Sequence, residues 1–322
     1  MPATALGESP PARVPTFSIV MPMFNREREV VRALNSCLQQ DCEDFEVIVV
    51  DDASTDASFE AARSLRDPRV RVLRHEVNLG HGRARTTAID AAVGAWVICL
   101  DSDDELIPGG LARMHRETQA VDERVQRLAF VYQRDDGRVS PLPPFRHDVM
   151  DYRGYLEWLE GRELYDFVCC SRRHTFADVP QPNRRWADLS IYHLEFAKRY
   201  VTRCFQDPVA LVHTDAANRS SQLRRGRRDS VASALELGSE MDLLLTRHGD
   251  ALREVVPTVY EMFRRMRGAY HFLSGHRIRG LAYMAGCVRA TPLLPEAWML
   301  MLLGLAPTSV FAAVRSRRGA ST

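Results

Sequence analysis

The stretch Trp96-Val97-Ile98-Cys99-Leu100-Asp101-Ser102-Asp103-Asp104-Glu105 decides the fold. An apolar run of strand length stops abruptly in acidic residues interrupted by one serine. Open α/β sheets bind ligands at the C-terminal edge of their strands, where these carboxylates fall. Carboxylates this close repel one another unless a cation or solvent offsets them. A hard divalent cation shared with a diphosphate would do so, since such ions take oxygen ligands.

Upstream the same design repeats. Phe17-Ser18-Ile19-Val20-Met21-Pro22 is a short apolar strand stopped by proline. Residues 26–40 have helical spacing, with Val30, Val31, Leu34 and Leu38 on one face. Phe45 to Val50 is a β-branched strand ending at Asp51-Asp52. Ser54-Thr55-Asp56 offers N-capping side chains to a helix through Phe59, Ala62 and Leu65, and Asp52 joins Ser54 as a capping candidate. Val70 to Leu73 is a third strand. Gly80 opens a helix to Val93, with Gly94 in the position of its C-terminal cap. Strand alternating with helix predicts a mostly parallel sheet with helices on both faces. Near-continuous apolar strands agree with burial on both sides. The strand ends at Pro22–Arg26, Asp51–Asp56 and Asp101–Asp104 therefore share one edge, where a nucleotide would bind.

After Leu111 the alternation weakens. Leu128 to Gln133 reads as a strand, Asp135-Asp136-Gly137 as a turn, Tyr152 to Leu159 and Trp186 to Tyr200 as helices, and Val209 to Val212 as a last strand. Arg219 to Arg228 reads as a linker, and everything from Ser230 onward as helical.

These pieces resemble the family 2 glycosyltransferases of GT-A fold. The matching segments are Val20-Met21-Pro22-Met23-Phe24-Asn25-Arg26, Val49-Val50-Asp51-Asp52-Ala53-Ser54-Thr55-Asp56, Asn78-Leu79-Gly80 leading to Ala84-Arg85, and Leu100-Asp101-Ser102-Asp103-Asp104. The likeness is strong over about the first third, moderate to Ser221 and weak beyond. It implies an α/β domain of GT-A type, Rossmann-like, followed by a C-terminal helical region. Its parts are a leader at 1–15, a nucleotide-sugar half at 16–125, an acceptor half at 126–221 and helices at 222–322. It implies an inverting, metal-dependent transfer of a sugar from a nucleotide diphosphate donor, UDP-linked by preference. The acceptor would be a hydroxyl on a glycan or lipid-linked saccharide.

Site residues follow from the same likeness. Phe24 takes the place of an aromatic residue packed on the base, with Pro22 and Asn25 beside it. Asp51 and Asp52 take the places of carboxylates that read the uracil ring or ribose, because a carboxylate accepts from a ring N–H. Asp101-Ser102-Asp103 is the DxD element. Asp103 is a ligand for Mn2+ or Mg2+, and Asp101 lies on the ribose or the metal. Asp104 is a cap for a helix beginning near Pro108. Of Arg83 and Arg85, the second matches the phosphate-binding position better. Asp188, in Arg185-Trp186-Ala187-Asp188-Leu189, fits the slot of the general base, with Ala187 where the family has Glu. Asp178 is its nearest rival. His213 is a further metal or diphosphate contact, and Asn218-Arg219-Ser220-Ser221 a lid.

Two other readings compete. A nucleotidyltransferase would make the sugar nucleotide, but Met21 to Arg26 has none of the glycines of a phosphate loop. A catalytically silent sugar-nucleotide-binding subunit would be compatible with Ala187.

Composition narrows the setting. With 322 residues and a net charge of +1, nothing favours bulk capture of nucleic acid. The 7 cysteines form no CxxC pair and point to a reducing cytoplasm. Ala297 to Val314 carries no charge and is followed by Arg315, Arg317 and Arg318. Gly304 and Pro307 interrupt it, so two short apolar helical pieces are expected. They would dock on the body, make peripheral contact with an anionic membrane or, least favoured, span it.

Overall fold

The computed structural model describes residues 14–142, 144–161, 167–184, 189–213, 231–290, 292–293 and 295–305. Contacts divide the chain into two compact units, one of residues up to 185 with 192–216 and the other of 186–191 with 217 onward.

The first unit runs β1 (Phe17–Met23), α1 (Glu29–Leu38), β2 (Phe45–Asp51), α2 (Ser58–Ser64), β3 (Val70–Arg74), α3 (His81–Ala91) and β4 (Trp96–Cys99). It continues with β5 (Glu105–Leu106), α4 (Gly110–Ala120), β6 (Val125–Phe130), β7 (Tyr132–Arg134), β8 (Val139–Ser140), β9 (Val149–Met150) and α5 (Tyr152–Trp158). Then come β10 (Val168–Arg172), α6 (Thr175–Asp178), α7 (Ser190–Arg199, from Tyr192 in this unit), β11 (Val201–Phe205) and β12 (Ala210–Val212).

Among the described residues the large sheet has the order β3-β2-β1-β4-β10-β6-β11-β9. Its first four strands are parallel, with Met23 opposite Asp51 and Asp51 opposite Arg74. β10 runs antiparallel between β4 and β6, so the sheet is mixed as well as mostly parallel. Every residue of β1 and β2 is buried. Alternation splits them between two cores. Ile19, Met21, Val47 and Val49 meet Val30, Ala33 and Leu34 of α1 on one face. Val20, Ile48 and Val50 meet Ala84, Ala88 and Ile89 of α3 on the other. The chain leaves β1 for β2 on one side, and β4 pairs on the other. The crevice between the ends of β1 and β4 is thus a topological switch point.

Four local expectations are corrected. The helix after β2 begins at Ser58 with Ala57 at its N-cap, so Ser54 and Asp52 do not cap it. Ser54 Oγ instead accepts from the Asn25 amide at 2.9 Å. The helix before β4 ends at Ala91 with Ala92 as its C-cap, and Gly94 serves close approach: a Cβ there would lie 2.6 Å from the Ser18 nitrogen. The helix near Pro108 starts at Gly110 behind Gly109 in the left-handed region, so Asp104 does not cap it. The segment read as one strand from Leu128 is two, β6 and β7, which belong to different sheets.

The smaller sheet, β5-β12-β7-β8, has one consequence for the site. Leu211 pairs with Glu105 and Ala210 with Leu106, which carries His213 to the acidic strand end.

The second unit is helical: α8 (Val231–Val255), α9 (Pro257–Leu273), α10 (Arg277–Ala290) and α11 (Pro295–Leu305). Buried Leu237, Met241, Phe263, Phe272 and Met284 form its interior. α9 and α10 approach closely, because a Cβ on Gly280 would meet the Phe272 ring at 2.6 Å. Among the described residues no helix is long and apolar enough to cross a membrane.

Candidate active site

The end of β1 turns sharply. Phe24 is exposed there, and Asn25 has φ 53°. Asparagine tolerates the left-handed region because its short polar side chain bonds locally. Asn25 Oδ1 accepts from the Thr55 amide at 2.9 Å, tying the β1 end to the β2 loop. Ala53, with φ 59°, is a strained residue on the same edge. Pro22 lies within β1 itself.

Asp51 and Asp52 are both buried but are used differently. Asp51 Oδ1 accepts from the Ser54 amide at 3.1 Å, and its Oδ2 faces Arg74 Nε at 3.1 Å. Burial holds its carboxyl above the ordinary range, against the pull of Ser54 and Arg74. Asp52 Oδ1 accepts from His75 Nδ1 at 2.7 Å and the Leu79 amide at 2.9 Å, while Oδ2 accepts from the Gly80 amide at 2.7 Å. Burial pushes this carboxyl up too, but the bonds from His75, Leu79 and Gly80 outweigh it and hold it below the usual value. Asp52 therefore organises the loop that leads into α3.

That helix delivers Arg85. Its guanidinium donates to Asp101 Oδ1 at 2.9 Å and to His81 Nε2 at 2.6 Å. Arginine has no acceptor, so His81 must be unprotonated at Nε2. Arg83, two residues earlier, is exposed. Past β4, Ser102 is buried, and one carboxylate oxygen from each of Asp101, Asp103 and Asp104 lies within 4.8 Å of the others. Arg26 Nε stands 3.5 Å from Asp103 Oδ2, and Arg32 donates to the Asp103 carbonyl at 2.9 Å. These cations offset part of the charge.

The three-acid group fits a hard divalent cation, for which all-oxygen donors are suited. Asp104, expected as a helix cap, is one of its members. His213 is not. Its Nε2 donates to Glu105 at 2.5 Å and its amide to Asp104 Oδ1 at 3.3 Å.

Asp188 lies outside the described residues, as do the linker at 219–228 and the segment 218–221. The flanks of the Asp188 segment are placed. On one side, a Cβ on Gly82 would collide with the Arg184 carbonyl oxygen and lie 3.0 Å from that of Pro182, so this stretch crosses the first turn of α3. On the other, Arg127 is buried beneath α7. Its guanidinium stacks 3.4 Å from the Phe196 ring centre and donates to Ser171 Oγ and to His193 Nδ1, each at 3.1 Å. Burial and then the charges of Arg127 and Arg85 push His193 well below its usual pKa, keeping it neutral. Asp178 accepts from the Tyr200 hydroxyl and pairs with Arg199 at 3.4 Å.

Sequence reading missed Arg26, Arg32, His75 and His81. His81 carried a signal, its i,i+4 spacing from Arg85 on one helix. The others depend on contacts across the sheet edge.

The mixed α/β sheet, with acids gathered at the strand edge of its parallel half, has the GT-A fold. The solved structures agree. Staphylococcus aureus TarS 1-349 in complex with UDP-GlcNAc superposes with TM-score 0.55 at 20% identity, over 94% of this chain and 92% of that one. The Pyrobaculum calidifontis mannosyltransferase PcManGT in complex with GDP-Man and Mn2+ gives TM-score 0.51 at 19%, over 98% and 88%. Residues 18–149 match the model of glycosyl transferase family 2. The succinoglycan biosynthesis protein ExoO of Rhizobium meliloti is 40% identical over 119 residues, 36% of this chain and 34% of its own length. The GalNAc(5)-diNAcBac-PP-undecaprenol beta-1,3-glucosyltransferase of Campylobacter jejuni is 34% identical over 104 residues, 31% and 34% of the two chains. The chain thus spans about a third of the length of these curated relatives.

Proposed function

We propose that the protein is an inverting, metal-dependent glycosyltransferase that moves a sugar from a nucleotide diphosphate donor, UDP-linked by preference, to an acceptor hydroxyl. The observation that carries the reading is the convergence of Asp101, Asp103 and Asp104 beside Arg85 at the switch point. The family match of residues 18–149 supports the reaction class, and the UDP-GlcNAc bound by the TarS structure supports the donor class. The named activity of the Campylobacter relative supports a lipid-linked saccharide as acceptor.

In this reading Phe24 packs on the base, with Pro22 and Asn25 shaping its pocket. Asp51 reads the nucleoside. Asp52 acts through the loop it holds, and Arg85 faces the diphosphate while Asp101 holds its guanidinium. Ser102 sets the spacing of the DxD pair. Asp103, with Asp101 and Asp104, would hold Mn2+ or Mg2+. The bound ion supplies Lewis-acid stabilisation of the departing diphosphate. His213 braces Asp104 and Glu105 at the same edge. Asp188 takes the acceptor proton as general base, from a segment whose flanks are anchored at Gly82 and Arg127. Asp178 is a poor substitute, because its carboxylate already serves Tyr200 and Arg199. The protein works at the cytoplasmic face of an anionic membrane, in peripheral contact.

The test is UDP release from a panel of UDP-sugars with an acceptor glycan, in Mn2+ and in chelator, with thermal stabilisation by UDP measured in parallel. A ligand that binds only the native state raises the melting temperature by mass action. Metal-dependent stabilisation by UDP together with UDP release is the expected result. Equal stability with and without UDP at saturating Mn2+ would overturn the donor assignment.

A further inference from the structure

We infer that the exposed face of α11, with the exposed basic start of α10, the helix it packs against, is a docking surface for an anionic lipid membrane. α11 buries Ala297 and presents Trp298, Leu302 and Leu305 to solvent, 43%, 61% and 60% exposed. Their i, i+4, i+7 spacing puts them on one stripe of the helix. Ile278, at the start of α10, is 85% exposed between exposed Arg277 and Arg279. Scattered apolar side chains on a surface need no explanation, but a continuous row of large ones marks an interaction site. The indole of Trp298 is oriented by donation to the Pro292 carbonyl at 2.8 Å. Tryptophan prefers the membrane–water boundary, where one end of its ring is apolar and the other polar.

Charge selects the occupant. Arg277, Arg279 and Arg289 of α10 are exposed, whereas Arg264 and Arg267 of α9 are turned to Glu261 and Asp242. The uncharged run to Val314 is followed by three more arginines at 315, 317 and 318. A second copy of so cationic a surface would meet repulsion, whereas anionic headgroups attract it. An apolar stripe beside arginines is the composition of a helix lying in the membrane interface. α11 has 11 residues and does not span. The inference draws on the proposed function in one respect only: a lipid-linked acceptor makes docking useful, since it confines enzyme and substrate to one plane.

The full-length protein is sedimented with phosphatidylcholine vesicles prepared with and without phosphatidylglycerol, and tryptophan emission is recorded on mixing. Trp298→Phe assigns the emission change. We expect co-sedimentation and a blue shift only with phosphatidylglycerol, weakening as salt rises. In the triple variant Trp298→Ser/Leu302→Ser/Leu305→Ser the partition coefficient falls about a hundredfold, by loss of apolar burial. Its melting temperature falls only slightly, because Leu302 and Leu305 face solvent and Trp298 gives up one hydrogen bond, to the Pro292 carbonyl. Arg277→Glu/Arg279→Glu loses binding while keeping the apolar row. Failure of the intact protein to sediment with either vesicle would overturn the inference. So would equal binding to neutral vesicles, or a self-association that the serine variant abolishes. UDP-dependent stabilisation is measured on every variant. If it persists while vesicle binding is absent, the docking surface falls and the donor site stands.

Discussion

Replacing Asp52 by Asn tests how the site is built, because the substitution changes charge and one acceptor with little change of shape. Asp52 Oδ1 can keep its bonds from His75 and Leu79 as an amide oxygen. At the other position the amide NH2 would face the Gly80 N–H, now 2.7 Å from a carboxylate oxygen. One charge-assisted bond is lost, about 1.5–3 kcal/mol, and a buried N–H is left without a partner, about 1–3 kcal/mol. Together these give a cost of about 2.5–6 kcal/mol. For a unit of this size about 1 kcal/mol moves the melting temperature by roughly 2–4 °C, so a fall of about 10 °C is expected. The pH dependence has a definite sign. Asp52 is held below its ordinary pKa in the folded chain. Its contribution is therefore complete above the unfolded carboxyl range, near about 4, and is lost as pH falls through the lower folded-state value. Asp52→Asn should remove that part of the acid sensitivity. Thermal melts of both proteins across acid pH, with UDP titrations at neutral pH, make the measurement. If Asp52→Asn melts within about 2 °C of the parent and binds UDP equally, Asp52 does not organise the loop before α3.

Other perturbations separate the remaining roles. Asp103→Ala should fold normally and lose transfer by roughly a hundredfold or more, as when a main electrostatic stabiliser is removed; full Mn2+-dependent turnover would refute it. Asp188→Asn should bind UDP like the parent and transfer sugar about a hundred- to ten-thousandfold more slowly, while Asp178→Asn keeps its rate; the reverse outcome moves the base to Asp178. Gly82→Ala forces the Pro182–Arg184 stretch off α3, so kcat should fall about tenfold or more with less change in donor affinity, in keeping with the cost of small misplacements. Unchanged turnover in that variant would show that the contact does not position the base.

How much of this was legible depended on the range of the interaction. The β1, β2 and β4 strands were readable because burial on both faces demands continuous apolar runs, and Phe17 to Met23 and Phe45 to Val50 have them. Their common edge followed from parallel topology alone. The three-acid group was readable up to Asp104, whose role turned on where the next helix starts. Gly109 in the left-handed region places that start beyond reach of an Asp104 cap. Ser54 looked like a cap for the same local reason, but the Asn25 amide across the edge claims its hydroxyl. His213 was tied to the site by position in the chain, yet its contact with Glu105 rests on a two-residue antiparallel pairing that has no periodicity to read. Gly94 was mistaken for a helix terminator because close backbone approach leaves the same residue type as a positive φ.

Arg127 shows why some of the site's support is invisible from sequence. An arginine in a strand reads as an edge or solvent-facing position. Here it is buried, with no carboxylate beside it among the described residues, and one guanidinium nitrogen makes no hydrogen bond. A buried charge in that state costs stability. Its partners explain its place in the fold. The guanidinium bridges Ser171 on β10, His193 on α7 and the faces of Tyr192 and Phe196, and so fastens α7 to the sheet. α7 begins two residues after Asp188, and the Gly82 contact holds Arg184 four residues before it. Two anchors of different chemistry, one a stacked cation and the other an absent side chain, thus bracket the segment that carries the proposed base. Positioning to a fraction of an ångström is what a proton-accepting carboxylate needs. A stability cost at Arg127 is the kind of local departure that functional sites retain.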